Sequence, residues 1–488
     1  MADHSSQSER RRIVVVGGGI TGLSAAHRLI ELSQQQGASV EVILLEASSR
    51  CGGVFGSERI GDYLIERGAD SFITNKPWGV NLCRRLGLEG ELISTDDRYR
   101  RSLILHRGKP VQTPDGFNLL APGQWWPLFR SPLLSWAGKL RVAAELFVPK
   151  LKVPQDESLA EFVRRRFGNE VLENVVQPLV GGIYTSDPEQ LSLRATLPRF
   201  PEMEQQFGSV IRGLRRQAAS SRQQEGASGA RYGLFATLAG GMQQLLDRLE
   251  ERVGDQAIVR KSTSVQYIRR LGSGYEIVTE SDVIAADGVV VTLPTYRSAT
   301  LVQSWAPELA RRLDEIKYAS SAIVVSGHQL ADIDHPVDAF GLVIPQREQR
   351  RILAVSFLSR KFPSRAPEGR IILRTFVGGA MQPEEMERSD AELEQLVLEE
   401  LQSVLGVRGR PDFVRVARYN RAMPQYHVGH LERVGEIERL AGELPGFELA
   451  GNAYRGVGVP DAVHSGEQAA RRLWESIFPA PVKGEGVA

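Results

Sequence analysis

An uninterrupted apolar, β-branched run, Ile13-Val14-Val15-Val16, stops at Gly17-Gly18-Gly19 and passes at once into a helical pattern carrying Leu23, Ala25, Ala26 and Leu29. Such a run predicts a strand covered on both faces, as in a parallel sheet. A second apolar run, Val40 to Leu45, follows, so the opening stretch predicts a β-α-β unit. Residues 76–95 read as a helix with Trp78, Leu82 and Leu86 on one face, and Ser102 to His106 alternates as a strand. Residues 156–185 repeat apolar positions at core spacing and predict a helix ending near Pro178. Arg216 to Tyr232 is polar, small and aperiodic and predicts a mobile surface loop, after which Leu238–Met242 opens a helix through Leu245, Leu246 and Leu249. A β-meander is expected over Ala257–Ile268, Tyr275–Thr279 and Ala286–Pro294. A separate antiparallel sheet is expected from Ala322–Gly327, Phe340–Pro345, Ile352–Ser356 and Ile371–Gly378. Ala391–Leu405 reads as an amphipathic surface helix. Finally, Phe447–Asn452 is a strand into a turn, and Gly456–Asp461 opens a helix through Trp474.

The first glycine cluster has mechanical meaning in this context. Gly17, Gly19 and Gly22 form G-x-G-x-x-G between a strand and a helix. The first glycine permits the tight turn, the second lets backbone N–H groups approach a pyrophosphate, and the third lets helix and strand pack closely. Gly18, Ile20 and Thr21 complete the anion-binding turn at the positive end of the helix. Glu46, ending the second run, is placed for a ribose 2′-hydroxyl. Arg50, before Cys51-Gly52-Gly53, is placed to meet a phosphate or pack over a cofactor, or else is a solvated loop charge. The Gly61–Phe72 stretch predicts a strand and a glycine turn returning towards the nucleotide. The second glycine-rich junction, near the other chain end, implies a nucleotide domain closed by both termini.

Composition narrows the picture. Among 488 residues, 60 Lys+Arg against 59 Asp+Glu leave a net charge of +1, giving no global attraction to nucleic acid. Cys51 and Cys83 are the only cysteines, which argues against a disulfide framework or a cysteine-built metal site and fits a reducing compartment. No apolar stretch is long enough to span a bilayer, and the first residues read as a short disordered leader rather than a secretory signal. These features point to the cytoplasm. Phe117 to Phe147 is aromatic-rich and broken by Pro122, Pro127 and Pro132. With Arg130, Lys139 and Arg141 nearby, it either docks peripherally on a membrane surface or packs as a helical subdomain over a pocket. A monomer and a homodimer are both open.

Two glycine junctions at opposite chain ends suit a long cofactor gripped at both ends. A flavin fits better than a nicotinamide, because a helix starting near Val459 stabilises the negative charge of the reduced ring. His427 and His430 read as loop or core histidines rather than metal ligands, since Gly429 and Pro424 argue against one helix face, and no metal is expected.

Five segments then carry a resemblance. VVVGGGITGLSAA with LLEASSRCGG, Phe167-Gly168 with PLVGGIYTSDPEQLSL (178–193), FGLVIP with FPSRAPEGRIILRTFVGG (340–345, 362–379), MPQYHVGH (423–430) and GNAYRGVGVPDAVHSGEQAA (451–470) together resemble the FAD-dependent porphyrinogen oxidases of haem biosynthesis, within the flavin amine-oxidase superfamily. The resemblance covers essentially all but the two termini. It implies an α/β fold with an α+β second domain. A Rossmann-like FAD domain is built from residues 12–95, 233–298 and 413–478, a helical substrate- or membrane-associated region spans 96–232, and a mixed-sheet substrate domain spans 299–412.

It further implies FAD contacts at Gly17–Gly22, Glu46, Ala47, Arg50, Gly53 and the turn Gly68, Ala69, Asp70, Ser71. Val265 would meet the adenine, and Gly451, Val457, Gly458 and Val459 would lie towards the isoalloxazine ring. Noncovalent FAD is implied, because no cysteine lies in the C-terminal motif. The substrate would be coproporphyrinogen III or protoporphyrinogen IX, with molecular oxygen as acceptor and hydrogen peroxide as product. Two departures from the family pattern are Tyr419, where Trp is common, and the substrate-carboxylate arginine, which falls on Arg101 or Arg100. An amine oxidase or polyene desaturase on the same scaffold, and a non-catalytic flavin-binding protein, are the alternatives.

Overall fold

The computed structural model describes residues 10–114, 117–118, 120–122, 125–152, 155–224 and 234–479. A five-stranded, wholly parallel sheet runs in the order Ile258–Arg260, Val40–Leu45, Arg11–Val16, Gly288–Val291, Phe447–Leu449. We call Arg11–Val16 β1, the helix Ile20–Gln36 α1 and Val40–Leu45 β2. One face of the sheet is covered by α1, Gln243–Gly254 and Val459–Ile477. The other is covered by a three-stranded antiparallel sheet and the helices around Ala299, Leu309 and Val434. Double coverage explains the continuous apolar runs, and Ile13, Val14 and Val15 have no exposed surface. Both chain ends and the middle contribute strands, as the second glycine junction implied.

The expected meander is divided between two sheets. Ile258–Arg260 joins the parallel sheet. Val265–Leu271, Gly274–Thr279 and Val283–Ala286 pair antiparallel, and Gly288–Val291 returns to the parallel sheet. The run Ala257–Ile268 is therefore broken, at Ser262, whose φ is +52°. Its N–H and that of Thr263 donate to the carbonyls of Ser48 and Glu46.

The second sheet has seven strands and is mixed. Its order is Phe413–Pro424, Tyr318–Gln329, Arg370–Gly378, Ala354–Phe357, Gly341–Val343, Ser102–His106, Lys109–Gln112, with one parallel pair between Gly341–Val343 and Ser102–Ile104. Two boundaries move as a result. Residues 102–112 belong to this sheet rather than to the helical region, and Phe413–Pro424 is its edge strand rather than part of the nucleotide domain. Local patterning cannot report this, because the pairing partners lie far away in sequence. Asp390–Leu405 covers one face and starts at a reciprocal Ser389–Glu392 capping box.

In the helical region, the helix from Asn169 does not end near Pro178. It passes through a π-helical turn, Leu172–Val176, and continues as Gln177–Tyr184, with Pro178 directly after the widened turn. The predicted loop from Arg216 is also partly wrong, since Val210–Gln224 is helical; residues 225–233 lie outside the described residues. Residues 76–95 likewise split into a helix, Pro77–Arg85, a 3-10 turn and a strand, Leu92–Ser94. The break falls at Gly87, whose φ of +74° ends the helix. No helix among the described residues is long and apolar enough to cross a membrane.

Candidate active site at two glycine junctions

At the first junction, two of the three motif glycines are demanded by the protein's own packing. A Cβ on Gly22 would fall 1.9 Å from the Gly17 carbonyl oxygen, and one on Gly17 would fall 2.7 Å from Thr292 Oγ1, at a φ of +107°. Gly19 differs, because a Cβ there would meet nothing within 4 Å. Nothing in the protein requires glycine at 19, so the reason for it lies in whatever approaches from the open side. Gly19 also N-caps α1 without a side chain to take the first-turn N–H groups, leaving them to an anion. Ile20 and Thr21 form that first turn.

Beside it lies a cavity of about 380 Å³ lined by Gly17, Glu46, Ala47, Val265, Arg297 and Leu301. The Glu46 carboxylate accepts from the Gly18 N–H (2.7 Å) and the Ser48 N–H (2.8 Å), so it braces the loop while lining the cavity. An open cradle at a helix N-terminus next to an acid-edged cavity fits the pyrophosphate and adenosine of a dinucleotide.

Arg50 is exposed at the surface, yet it is tied to its own loop. Its guanidinium donates to the carbonyls of Cys51, Gly53 and Phe55 and folds the 50–55 loop around itself. It shares a cleft of about 530 Å³ with Gly53, Val54, Arg67 and Tyr419, and the Tyr419 hydroxyl lies 3.4 Å from the Val54 carbonyl oxygen. The Gly68–Ser71 turn, which includes Ala69, is gripped by the second sheet. Arg374 donates to the Gly68 carbonyl, and Asp70 pairs with both Arg374 (2.8 Å) and Lys361 (2.9 Å). Burial opposes ionisation of Asp70, but Lys361 and then Arg374 outweigh it and hold the carboxyl well below the usual carboxylate range. The Asp70 side chain therefore bolts two domains together, and sequence reading assigned neither cation to that task.

The second junction is held by side chains from elsewhere. The Tyr426 hydroxyl donates to the Asn452 carbonyl (2.6 Å) and accepts from the Gly456 N–H (2.8 Å), closing the loop between Gly451 and Val457. His430 stacks on the Tyr426 ring, 3.8 Å between centroids and 14° between planes, and its Nε2 donates to the Tyr454 carbonyl at 2.9 Å. His430 has no exposed surface, as expected of a core histidine. Gly458 caps the helix Val459–Ile477, again without a capping side chain, and Lys76 pairs with Asp461 (2.6 Å) in its first turn. Val457 packs against the core of the helical region. Burial, followed by the nearby Asp461 charge, pushes the Tyr184 hydroxyl up to about 12, and this tyrosine closes the Gln177–Tyr184 helix. The nucleotide domain, the helical region and the MPQYHVGH segment thus converge at Val457–Asp461. The motif letters marked Tyr426 and His430, but no local pattern stated their task.

Arg100 and Arg101 lie at the head of the strand Ser102–His106, half exposed. Arg101 is 3.4 Å from Asp338 and donates to the Arg98 carbonyl (3.2 Å), while Arg100 lies 3.7 Å from Asp97. Both thiols are buried, and burial, ahead of the neighbouring carboxylates at Cys51, pushes Cys51 and Cys83 up to about 12, far from a thiolate at neutral pH.

Comparison with known proteins agrees with this architecture. Residues 20–474 match the family of flavin containing amine oxidoreductases. The chain is 34% identical to the coproporphyrinogen III oxidase of Bacillus subtilis, over 96% of this chain and 99% of the relative. It is 29% identical to protoporphyrinogen oxidase 2 of Arabidopsis thaliana, over 96% and 95%. A crystal structure from Exiguobacterium sp., assigned to the protoporphyrinogen oxidases, superposes with a TM-score of 0.84 at 30% identity, covering 95% of this chain and 98% of the other. Putrescine oxidase shares the fold at a TM-score of 0.65 and 18% identity. The chain belongs to the flavin-containing amine oxidoreductases, as an FAD-dependent oxidoreductase of the porphyrinogen oxidase group.

Proposed function

We propose that the protein oxidises a porphyrinogen to the porphyrin in haem biosynthesis, with coproporphyrinogen III as the preferred substrate. The carrying observation is the end-to-end similarity to coproporphyrinogen III oxidases, 31–34% over nearly the whole length of both chains, against 27–29% for the protoporphyrinogen oxidases.

When bound, FAD would supply the hydride acceptor, with molecular oxygen as the final acceptor and hydrogen peroxide as the product. The protein's part is binding, orientation and exclusion of water. N–H groups of Gly17–Gly22 hold the pyrophosphate, Glu46 takes the ribose, and Ala47 and Val265 face the adenine. The loop that Arg50 folds with Gly53, the turn Gly68–Ser71 and Tyr419 line the path towards the ring. The helix N-terminus at Val457–Val459 would stabilise negative charge on the reduced ring. Arg101, with Arg100 beside it, pairs with a substrate carboxylate as a planar guanidinium can. FAD is noncovalent, since both cysteines are buried and protonated and neither lies within the C-terminal motif 451–470.

The test adds coproporphyrinogen III and protoporphyrinogen IX, side by side and in air, to the FAD-loaded enzyme and follows the porphyrin Soret band. Faster turnover of coproporphyrinogen III is expected. No porphyrin above the autoxidation control from either substrate would sink the assignment, and faster protoporphyrinogen turnover would reverse the preference.

A specific observation favours a second reading, peripheral membrane contact. Trp126, Trp136 and Phe147 are 66%, 71% and 84% exposed. Arg130 lies over the Trp126 ring (4.6 Å) and Lys139 over Trp136 (4.8 Å). Exposed aromatics beside the Arg130 guanidinium suit an anionic lipid interface, while Lys139 is buried and donates to the Phe129 carbonyl. Cosedimentation with anionic vesicles is expected, reduced severalfold by Trp126→Ala, Trp136→Ala and Phe147→Ala together. A native protein that stays in the supernatant would overturn it.

A further inference from the structure

The segment Gln425–His430 is fastened on both sides. On one side its backbone is tied to the helical region and the second sheet. The Ser192 N–H donates to the Tyr426 carbonyl (2.7 Å), the Val428 N–H to the Gln190 carbonyl (2.9 Å), and the Gly429 N–H to Asp156 (2.8 Å). The Gln425 N–H donates to the Lys317 carbonyl (2.9 Å). On the other side, two of its side chains hold three backbone groups of the 452–456 loop: the Asn452 carbonyl, the Tyr454 carbonyl and the Gly456 N–H. That loop leads directly into Val457–Val459 and the helix N-terminus. Its glycine at 456 cannot be replaced without disturbing the helix's first turn, because a Cβ there would lie 2.4 Å from Asp461 Cγ, at a φ of +153°.

The geometry points to Tyr426 and His430 as positioning residues that aim the Val457–Val459 backbone at the flavin ring and so set how readily the ring accepts electrons. The inference rests on the reading that Val457–Val459 lies at the ring. The hydroxyl is doubly used, donating at one end of the loop and accepting at the other, so the loop has one length at which both bonds survive. His430 fixes the plane of the Tyr426 ring by stacking and anchors the loop midpoint. Its Nε2 meets a carbonyl and is therefore protonated, while its Nδ1 has no hydrogen-bond partner, so the ring is neutral. Helix N-terminal N–H groups act on charge only over a short range, so a small displacement of the loop changes the field at the ring.

The substitution Tyr426→Phe keeps the ring and its stack and removes only the hydroxyl. In the FAD-loaded protein, equilibrated with a reference dye and without any porphyrinogen, the reduced-to-oxidised flavin ratio is expected to fall about tenfold, the effect of losing one buried hydrogen bond's worth of alignment. The visible flavin bands should shift with it. His430→Phe, which retains a stacking ring, should give a smaller change in the same direction, and it serves as the reporter should Tyr426→Phe not fold. Tyr275→Phe is the control. It removes a hydroxyl that donates to the Pro445 carbonyl (2.8 Å) and should cost stability without moving the flavin equilibrium. An unchanged flavin ratio and spectrum in both Tyr426→Phe and His430→Phe, with FAD bound, would overturn the inference. So would an equal change in Tyr275→Phe. Porphyrinogen does not enter the measurement, so its outcome is independent of the substrate assignment.

Discussion

The two glycine junctions do similar work by opposite means. At the first, the constraint is internal. Strand, turn and helix are consecutive, and the Cβ contacts that forbid other residues at Gly17 and Gly22 come from Gly17 itself and from Thr292 on the neighbouring strand's end. At the second, the glycine loop carries little of its own shape. Tyr426 and His430 hold its backbone, Lys76 holds its helix, and the helical region packs on Val457. A motif that is complete in sequence is thus self-supporting in space, whereas one assembled from distant side chains couples the cofactor end to the rest of the fold.

The contrast can be broken most sharply at Gly22. Gly22→Ala forces a Cβ into the Gly17 carbonyl, backbone against backbone, and is expected to cost at least ~3 kcal/mol, seen as a large fall in Tm and loss of bound FAD. A native-like Tm would show that the first junction is not rigid.

The second junction should instead reveal itself through pH. Burial, despite the Tyr454 hydrogen bond, pushes His430 down to about 4 from an ordinary value of 6.5. Below pH 6.5 the unfolded chain takes up a proton that the folded state refuses until about pH 4. Stability is therefore complete above pH 6.5 and is lost as pH falls through that window, on the order of 2–3 kcal/mol from this group. Melting curves from pH 7 to pH 4 should converge for wild type and His430→Phe as the pH falls. Parallel curves would mean that His430 is not held neutral.

The smallest effect is expected at Gly19, and it separates packing from ligand. Gly19→Ala projects a methyl into open space, so Tm without FAD should be unchanged while FAD binds about tenfold more weakly, ~1.4 kcal/mol. A loss of apoprotein stability would place the demand for glycine in the protein rather than in the cofactor.

Legibility follows the same division. The run Ile13–Val16, the glycine turn and Glu46 were readable because they follow one another within one β-α-β unit, and the structure places Glu46 against the Gly18 N–H; the contacts to Thr292 and Gly288–Val291 came only with the fold. Pro178 was misread because a proline rule applied to a regular helix ignores the π-helical turn before it. Arg216–Gln224 was misread because a polar, small-residue stretch can still be carried as a helix by the apolar face that begins at Val210, Ile211 and Leu214. The mixed sheet was half seen: four strands carried the expected pattern, but the parallel pairing of Gly341–Val343 with Ser102–Ile104 joins segments with no local signal in common.

By itself the sequence determined the β-α-β nucleotide unit, the presence of a second glycine junction and, through its motifs, the family. These depend on periodicity, φ-permissive residues and consecutive elements, all of which are local. Only the tertiary structure decided which side chains hold the second junction, why Asp70 is bolted to Arg374 and Lys361, and which sheet owns Phe413–Pro424. Those outcomes depend on hydrogen bonds and ion pairs between residues from tens to hundreds of positions apart, whose energies exist only once the chain has folded.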